Sequence, residues 1–93
     1  MKKLHKTFFD KINVALKKTD INSLEKISLI LSEIKNNKKK VILFGNGGSA
    51  AIASHVSVDL TKNAGVRAIN FNEADLLTCF SNDYGYKNVF AKS

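Results

Sequence analysis

The sequence predicts an α/β fold, with an N-terminal helical hairpin followed by the first βαβ part of a parallel sheet. Three observations predict it. Residues 1–37 carry two apolar stripes at helical spacing. Val41-Ile-Leu-Phe44 is a short continuous apolar run of the kind found in buried parallel strands. That run stops at Gly45-Asn-Gly-Gly-Ser49, helix-forming residues follow at once, and a second apolar run spans Val66 to Phe71.

The elements follow in order. Leu4, Phe8, Ile12 and Leu16 recur at four-residue spacing with Phe9 and Ala15 beside them, so residues 3–18 should form an amphipathic helix with lysines on its other side. Asn22 followed by Glu25 resembles a capping box. Leu24, Ile27, Leu31 and Ile34, joined by Ile30, then make a second stripe that ends at Asn36-Asn37. Residues 41–44 read as a strand, 49–62 as a helix stopped by Asn63-Ala64-Gly65, and 66–71 as a second strand. Residues 73–81 are expected to form a short helix before the turn Ser81-Asn-Asp-Tyr-Gly85, with Tyr86, Val89 and Phe90 starting another. The division is a hairpin over 1–38 and a sheet-bearing part over 39–93. Two strands do not make a stable parallel sheet, which needs helices on both faces and usually more strands. The expectation is therefore the N-terminal half of a larger α/β protein.

Composition narrows the function classes. The 93 residues include no proline, with 44% hydrophobic and 25% charged, a globular composition with room for one small domain. No apolar run approaches the roughly 18 residues of a membrane span, and the N-terminus lacks the continuous apolar segment of a signal peptide. A cytoplasmic protein is expected. Cys79 is the only cysteine, which excludes an intrachain disulfide and a cysteine-cluster metal site. Charge is uneven: residues 1–40 hold eleven lysines against Asp10, Asp20, Glu25 and Glu33, a balance of +7, whereas 41–93 balance to zero. The lysines interleave with apolar positions and lack arginine-aromatic clustering, so they read as a solvated helix face rather than a nucleic-acid or acidic-lipid surface. Lys38-Lys39-Lys40 adds positive potential just before the strand.

The loop carries the chemistry. Glycines at 45, 47 and 48 permit positive φ and close backbone approach, and a helix opening near Ser49 aims unpaired N–H groups and its positive dipole end into the same space. The expected ligand is anionic, although strand, glycine turn and helix also occur as a plain connection. The spacing matches neither Gly-x-Gly-x-x-Gly nor Gly-x-x-x-x-Gly-Lys-Ser/Thr. On the following helix, Ser49, Ile52, His55, Val56, Asp59 and Leu60 fall within one arc, so a histidine and an acid point to the apolar side. His55 and Asp59 are one turn apart. They could share a divalent metal, Asp59 could act as a base beside the imidazole, or the two could form an ordinary i,i+4 hydrogen bond.

Gly45-Asn-Gly-Gly-Ser-Ala-Ala-Ile-Ala-Ser-His55-Val-Ser-Val-Asp59-Leu resembles the sugar isomerase (SIS) domain of phosphoheptose isomerases, and Ser81-Asn82-Asp83-Tyr84-Gly85-Tyr86 resembles that family's downstream Asn-Asp-aromatic-Gly-aromatic motif. The resemblance extends over essentially the whole chain and about half of a complete family member. It implies a flavodoxin-like or Rossmann-like parallel sheet, incomplete here. The implied reaction is aldose-ketose isomerisation of sedoheptulose 7-phosphate to glycero-manno-heptose 7-phosphate, which feeds lipopolysaccharide, capsule or surface-layer glycans. It further implies that Asn46, Gly47, Gly48 and Ser49 contact the phosphosugar, that His55 and Asp59 bind zinc with Asp59 also the base, and that Asn82 and Asp83 contact substrate hydroxyls. A homotetramer with sites between subunits is implied as well. The family's phosphate-gripping Ser/Thr loop, and the Gln and His that complete its metal and acid-base set, have no counterpart within residues 1–93, so this chain alone is expected to lack isomerase activity. Two features depart from the family: aspartate at 59 where glutamate is usual, and a compact stretch from Asn63 to Asp75 in place of a longer loop. The first implies a difference in substrate or activity, and the second suggests a subgroup acting on a related phosphosugar. A non-catalytic phosphosugar-binding or replication-initiator-associating module of the same domain type is the alternative.

Overall fold

The computed structural model describes residues 1–93. Two helices, α1 (Lys2–Lys17) and α2 (Ile21–Asn36), lead into strand β1 (Lys40–Leu43). Helix α3 (Gly48–Asp59) follows and widens into a π turn, Leu60–Ala64, before strand β2 (Arg67–Asn70). Helix α4 (Ala74–Tyr84), a 3₁₀ turn (Tyr86–Asn88) and the short helix α5 (Val89–Lys92) complete the chain. β1 and β2 pair in parallel, with Lys40 opposite Arg67 and Leu43 opposite Asn70, so the expected βαβ unit is present.

The unit closes because α3 turns its smallest residues to the sheet. Ala53 and Ser57 are buried there, and small side chains allow close approach of helix and strand. Ser57 remains satisfied: its hydroxyl donates to the Ser54 carbonyl at 2.7 Å and accepts from Asn70 Nδ2 at 3.1 Å. After the π turn, Gly65 takes the left-handed conformation, φ +65°, and the Val66 N–H returns to the Leu60 carbonyl at 2.9 Å. Lys35 on α2 donates to the Ala64 carbonyl at 2.9 Å and ties the helical segment to the end of that turn.

Three local expectations change. The cap of α2 is Asp20, not Asn22 with Glu25: one Asp20 carboxylate oxygen accepts the Asn22 N–H at 3.0 Å and the other accepts the Ser23 hydroxyl at 2.6 Å. These two bonds, Ser23 first, hold the Asp20 carboxyl below its ordinary range. The segment Ser81–Tyr84 is the last turn of α4 rather than a loop, because Gly85, at φ +82°, is the first residue free to leave the helix. The helix expected over 49–62 keeps α geometry only to Asp59.

Little of the apolar surface is covered. Ala53, Val66 and Val89 are the buried apolar residues, while Leu4, Phe8, Phe9 and Leu16 on α1 are each about 60% exposed or more. The two N-terminal helices follow the expected order, yet neither buries a residue and α1 has no packed partner element. The radius of gyration is 17.5 Å, against about 12 Å for a compact chain of this length. No helix is long and apolar enough to cross a membrane.

Candidate functional site

The site begins where β1 ends. A Cβ on Gly45 would stand 2.5 Å from the Ser49 carbonyl oxygen and 2.9 Å from the Ala50 nitrogen, so the first turn of α3 folds back onto a position that no side chain can occupy. Gly47 caps α3 with φ +54° and ψ −120°, a conformation reserved for glycine. A Cβ on Gly47 or Gly48 would meet nothing within 4 Å. The N–H groups of Asn46, Gly47 and Gly48 donate to no atom of the chain, while Ser49 and Ala50 close onto the Asn46 and Gly47 carbonyls at 2.9 and 3.1 Å. Three consecutive donors thus face open space at the positive end of α3, an arrangement suited to an anion or to ligand oxygens.

Two side chains brace this loop from outside it. Asn72, just past the carboxyl end of β2, accepts the Gly45 N–H at 3.3 Å and donates to the Ala50 carbonyl at 3.4 Å, bracketing the loop at both ends. Asn70 accepts the Asn72 N–H at 3.2 Å and sets that turn. From the other motif, the Tyr86 hydroxyl donates to Asn46 Oδ1 at 2.6 Å. Tyr86 is carried there by the docking of α5, where Val89 is buried and Phe90 stacks on Phe44 at 4.8 Å between ring centroids. Sequence reasoning gave no role to Asn72, Asn70 or Tyr86. One signal pointed to the asparagines: they sit at the carboxyl end of a parallel strand, where ligands of open α/β sheets bind.

His55 and Asp59 meet as their spacing allows, with Nε2 3.6 Å from Oδ2, and Asn63 Nδ2 donates to the other Asp59 oxygen at 3.4 Å. Their direction differs from expectation. The arc shared with Ile52 is not the buried side: Ile52 is 64% exposed, and the His55 and Asp59 side chains are 78% and 51% exposed. The face turned to the sheet is that of Ala53 and Ser57, whose small side chains let helix and strand approach closely. As a metal pair, the two donors are spaced close to the about 3.3 Å edge of a tetrahedron with zinc-ligand bonds of about 2.0–2.1 Å. They fit as two ligands; no third His, Cys, Asp or Glu side chain of the chain joins them.

Asn82 and Asp83 lie on the exposed last turn of α4 and make no hydrogen bond to the loop. Asn82 donates to Asp83 at 3.2 Å, and the Cys79 thiol lies 3.6 Å from the other Asp83 oxygen. The Asp83 charge, with a smaller effect of burial, pushes the Cys79 thiol up. The structure therefore unites Asn46, Gly47, Gly48, Ser49, Asn72 and Tyr86 around one opening. The His55–Asp59 pair stands two to three turns along α3 from Gly48, about 10–16 Å at the helical rise.

Comparison with known proteins bears on the family and the fold. A family model described as the SIS domain matches residues 7–92. The phosphoheptose isomerase of Buchnera aphidicola from Acyrthosiphon pisum (strain Tuc7) is 34% identical over 80 residues, covering 81% of this chain and 42% of its own length. That of Thermodesulfovibrio yellowstonii is 31% identical over 98 aligned residues, covering 97% of this chain and 49% of its own. The solved structure of phosphoheptose isomerase GmhA from Neisseria gonorrhoeae superposes with a TM-score of 0.82 at 26% identity, covering 98% of this chain and 51% of that one. The chain thus spans about half the length of the relatives it matches. A family model spanning nearly the whole chain, together with a glycine loop, βαβ unit and docked second motif in one frame, makes this chain a member of the SIS domain family, similar to its phosphoheptose isomerases.

Proposed function

We propose that the protein bearing this chain is a phosphosugar isomerase that interconverts sedoheptulose 7-phosphate and glycero-manno-heptose 7-phosphate. The observation that carries this reading is the open row of N–H donors from Asn46 to Gly48, braced by Asn72 and Tyr86, in a chain whose relatives are phosphoheptose isomerases. Asn46, Gly47, Gly48 and Ser49 hold oxygens of the sugar phosphate, and Asn82 and Asp83 bind its hydroxyls. His55 and Asp59 supply two ligands to a zinc ion, which when bound polarises the sugar carbonyl and favours its developing negative charge. The Asp59 carboxylate takes the proton from the carbon beside the carbonyl, leaving an enediolate; a hydroxyl proton passes from one of its oxygens to the other, and the proton held by Asp59 returns to the former carbonyl carbon. The two remaining zinc ligands lie outside residues 1–93 in this reading, with sites shared between the subunits of a homotetramer in the cytoplasm. The product then feeds heptose units of lipopolysaccharide or capsule. Residues 1–93 alone, with two donors, do not turn over.

The test is conversion of sedoheptulose 7-phosphate by the protein at its native length, with and without added zinc. Metal-dependent conversion is expected; the absence of conversion defeats the isomerase reading, and the absence of binding as well defeats the phosphosugar site. Aspartate at 59 favours a second reading, a binding module without catalysis, because Asn63 and His55 both hold this short carboxylate against its own helix. Asp59→Glu separates the two. A gain in heptose isomerisation marks aspartate as a loss of catalysis, and a fall marks it as the working base.

A further inference from the structure

We propose that Tyr86 is a positioning residue for Asn46, fixing which end of the Asn46 amide faces the ligand; the inference rests on the reading of the Gly45–Ser49 loop as a phosphosugar site. Asn46 is exposed at the mouth of the loop, and an unanchored amide there would sample both flips, presenting an acceptor to the ligand in one and a donor in the other. The Tyr86 hydroxyl lies 2.6 Å from Oδ1, a separation that suits O–H···O and is short for the N–H···O contact of the flipped amide, so the phenol as donor favours the flip in which the amide oxygen faces it. With the amide oxygen occupied by the phenol, both Nδ2 protons are left unused by the chain, beside the free N–H groups of Gly47 and Gly48. The opening then presents donors throughout, which suits a phosphate or a row of sugar oxygens and disfavours a cationic ligand.

The phenol is itself held from behind. Gly85 at φ +82° and ψ 144° lets the chain turn sharply out of α4, Val89 is 1% exposed, and Phe90 stacks on Phe44 at the end of β1. Strand, loop and second motif therefore form one braced unit, and the hydroxyl reaches Asn46 across 40 residues of sequence. Tyr86→Phe removes the hydrogen bond while keeping the ring.

The experiment titrates the native-length protein with sedoheptulose 7-phosphate in four forms: wild type, Tyr86→Phe, Asn46→Ala and the double variant. The Asn46 side-chain amide resonances are followed by NMR in the first two. Loss of one hydrogen bond to the positioning group predicts an about tenfold rise in Kd for Tyr86→Phe. Four further results are expected: no additional loss in the Asn46→Ala background, displaced Asn46 amide resonances, an unchanged melting temperature, and a larger effect on KM than on kcat. Unchanged affinity overturns the proposal, as does an equal loss in both backgrounds or an amide signal that does not move. If the wild type does not bind this sugar, the functional reading fails separately. The resonances then decide alone: displacement by Tyr86→Phe supports the positioning contact, and identity with the wild type overturns it.

Discussion

Adjacent glycines of the loop differ in what they are for. Gly45 is demanded by the fold, since its Cβ would stand 2.5 Å from a backbone carbonyl that cannot swing away. Gly45→Ala should cost about 3 kcal/mol or more, read as a fall in denaturation midpoint. Gly48 faces open space with an ordinary backbone, so Gly48→Ala should leave stability within about 1 kcal/mol, or raise it. The same methyl enters the ligand space, and phosphosugar affinity should fall about tenfold or more by calorimetry. The Cys79–Asp83 contact makes a separate prediction. Because Asp83 raises the thiol above its ordinary range, the stabilisation of the folded state is complete below the ordinary thiol value and is lost as pH rises through the raised one. Alkylation of Cys79 at mildly alkaline pH should be faster in Asp83→Asn, since more thiolate is present. Equal rates would show that the charge does not reach the sulfur. Of the site residues, the loop and the His55–Asp59 pairing were legible, because both depend on spacing within one element. Asn72 and Tyr86 were not, because their partners lie 22 to 40 residues away.

At the scale of elements, capping and small residues decide the outcome. The N-terminus of α2 depends on Asp20, whose folded-state carboxyl lies below its unfolded value. Its contribution is therefore present above the unfolded value and lost as pH falls through the lowered one. Acid titration followed by circular dichroism should show helix loss in that low window, and Asp20→Ala should flatten it. Sequence pattern marked Asn22 and Glu25 as the cap because Asx-x-x-Glu spacing is present there too; Asp20 prevails by engaging both Asn22 and Ser23. In α3, periodicity correctly gave a helix but misassigned its inner face. An arc containing Ile52, Val56 and Leu60 is the more hydrophobic choice, yet the two-stranded sheet accepts the Ala53–Ser57 face, whose shape lets the backbones approach. The π turn after Asp59 was not legible either: Gly65 is a local stop that the sequence marked, but the Lys35 bond to Ala64 that accompanies the turn is tertiary.

The whole molecule carries more surface than a finished domain. Its accessible area is 7669 Å², against about 5,400 Å² for a compact monomer of this mass. The excess includes Leu4, Phe8 and Phe9 on α1 and Ile42 and Phe44 beside the site. Apolar exposure on this scale is costly in water, so the isolated chain should sediment as species heavier than 10.3 kDa. Phe8→Glu with Ile12→Glu, which charges the α1 stripe, should shift it toward the monomer; a wild-type monomer would show that the helix face needs no cover. By itself the sequence determined the order of helices and strands, the parallel βαβ unit, the glycine loop and the family, because each is written in local periodicity, turn chemistry and motif spacing. Only the tertiary structure decided which face of α3 is buried, that Asn72 and Tyr86 brace the loop, and that His55 and Asp59 look outward. Those outcomes depend on shape fit between elements distant along the chain, and no spacing within a single element records it.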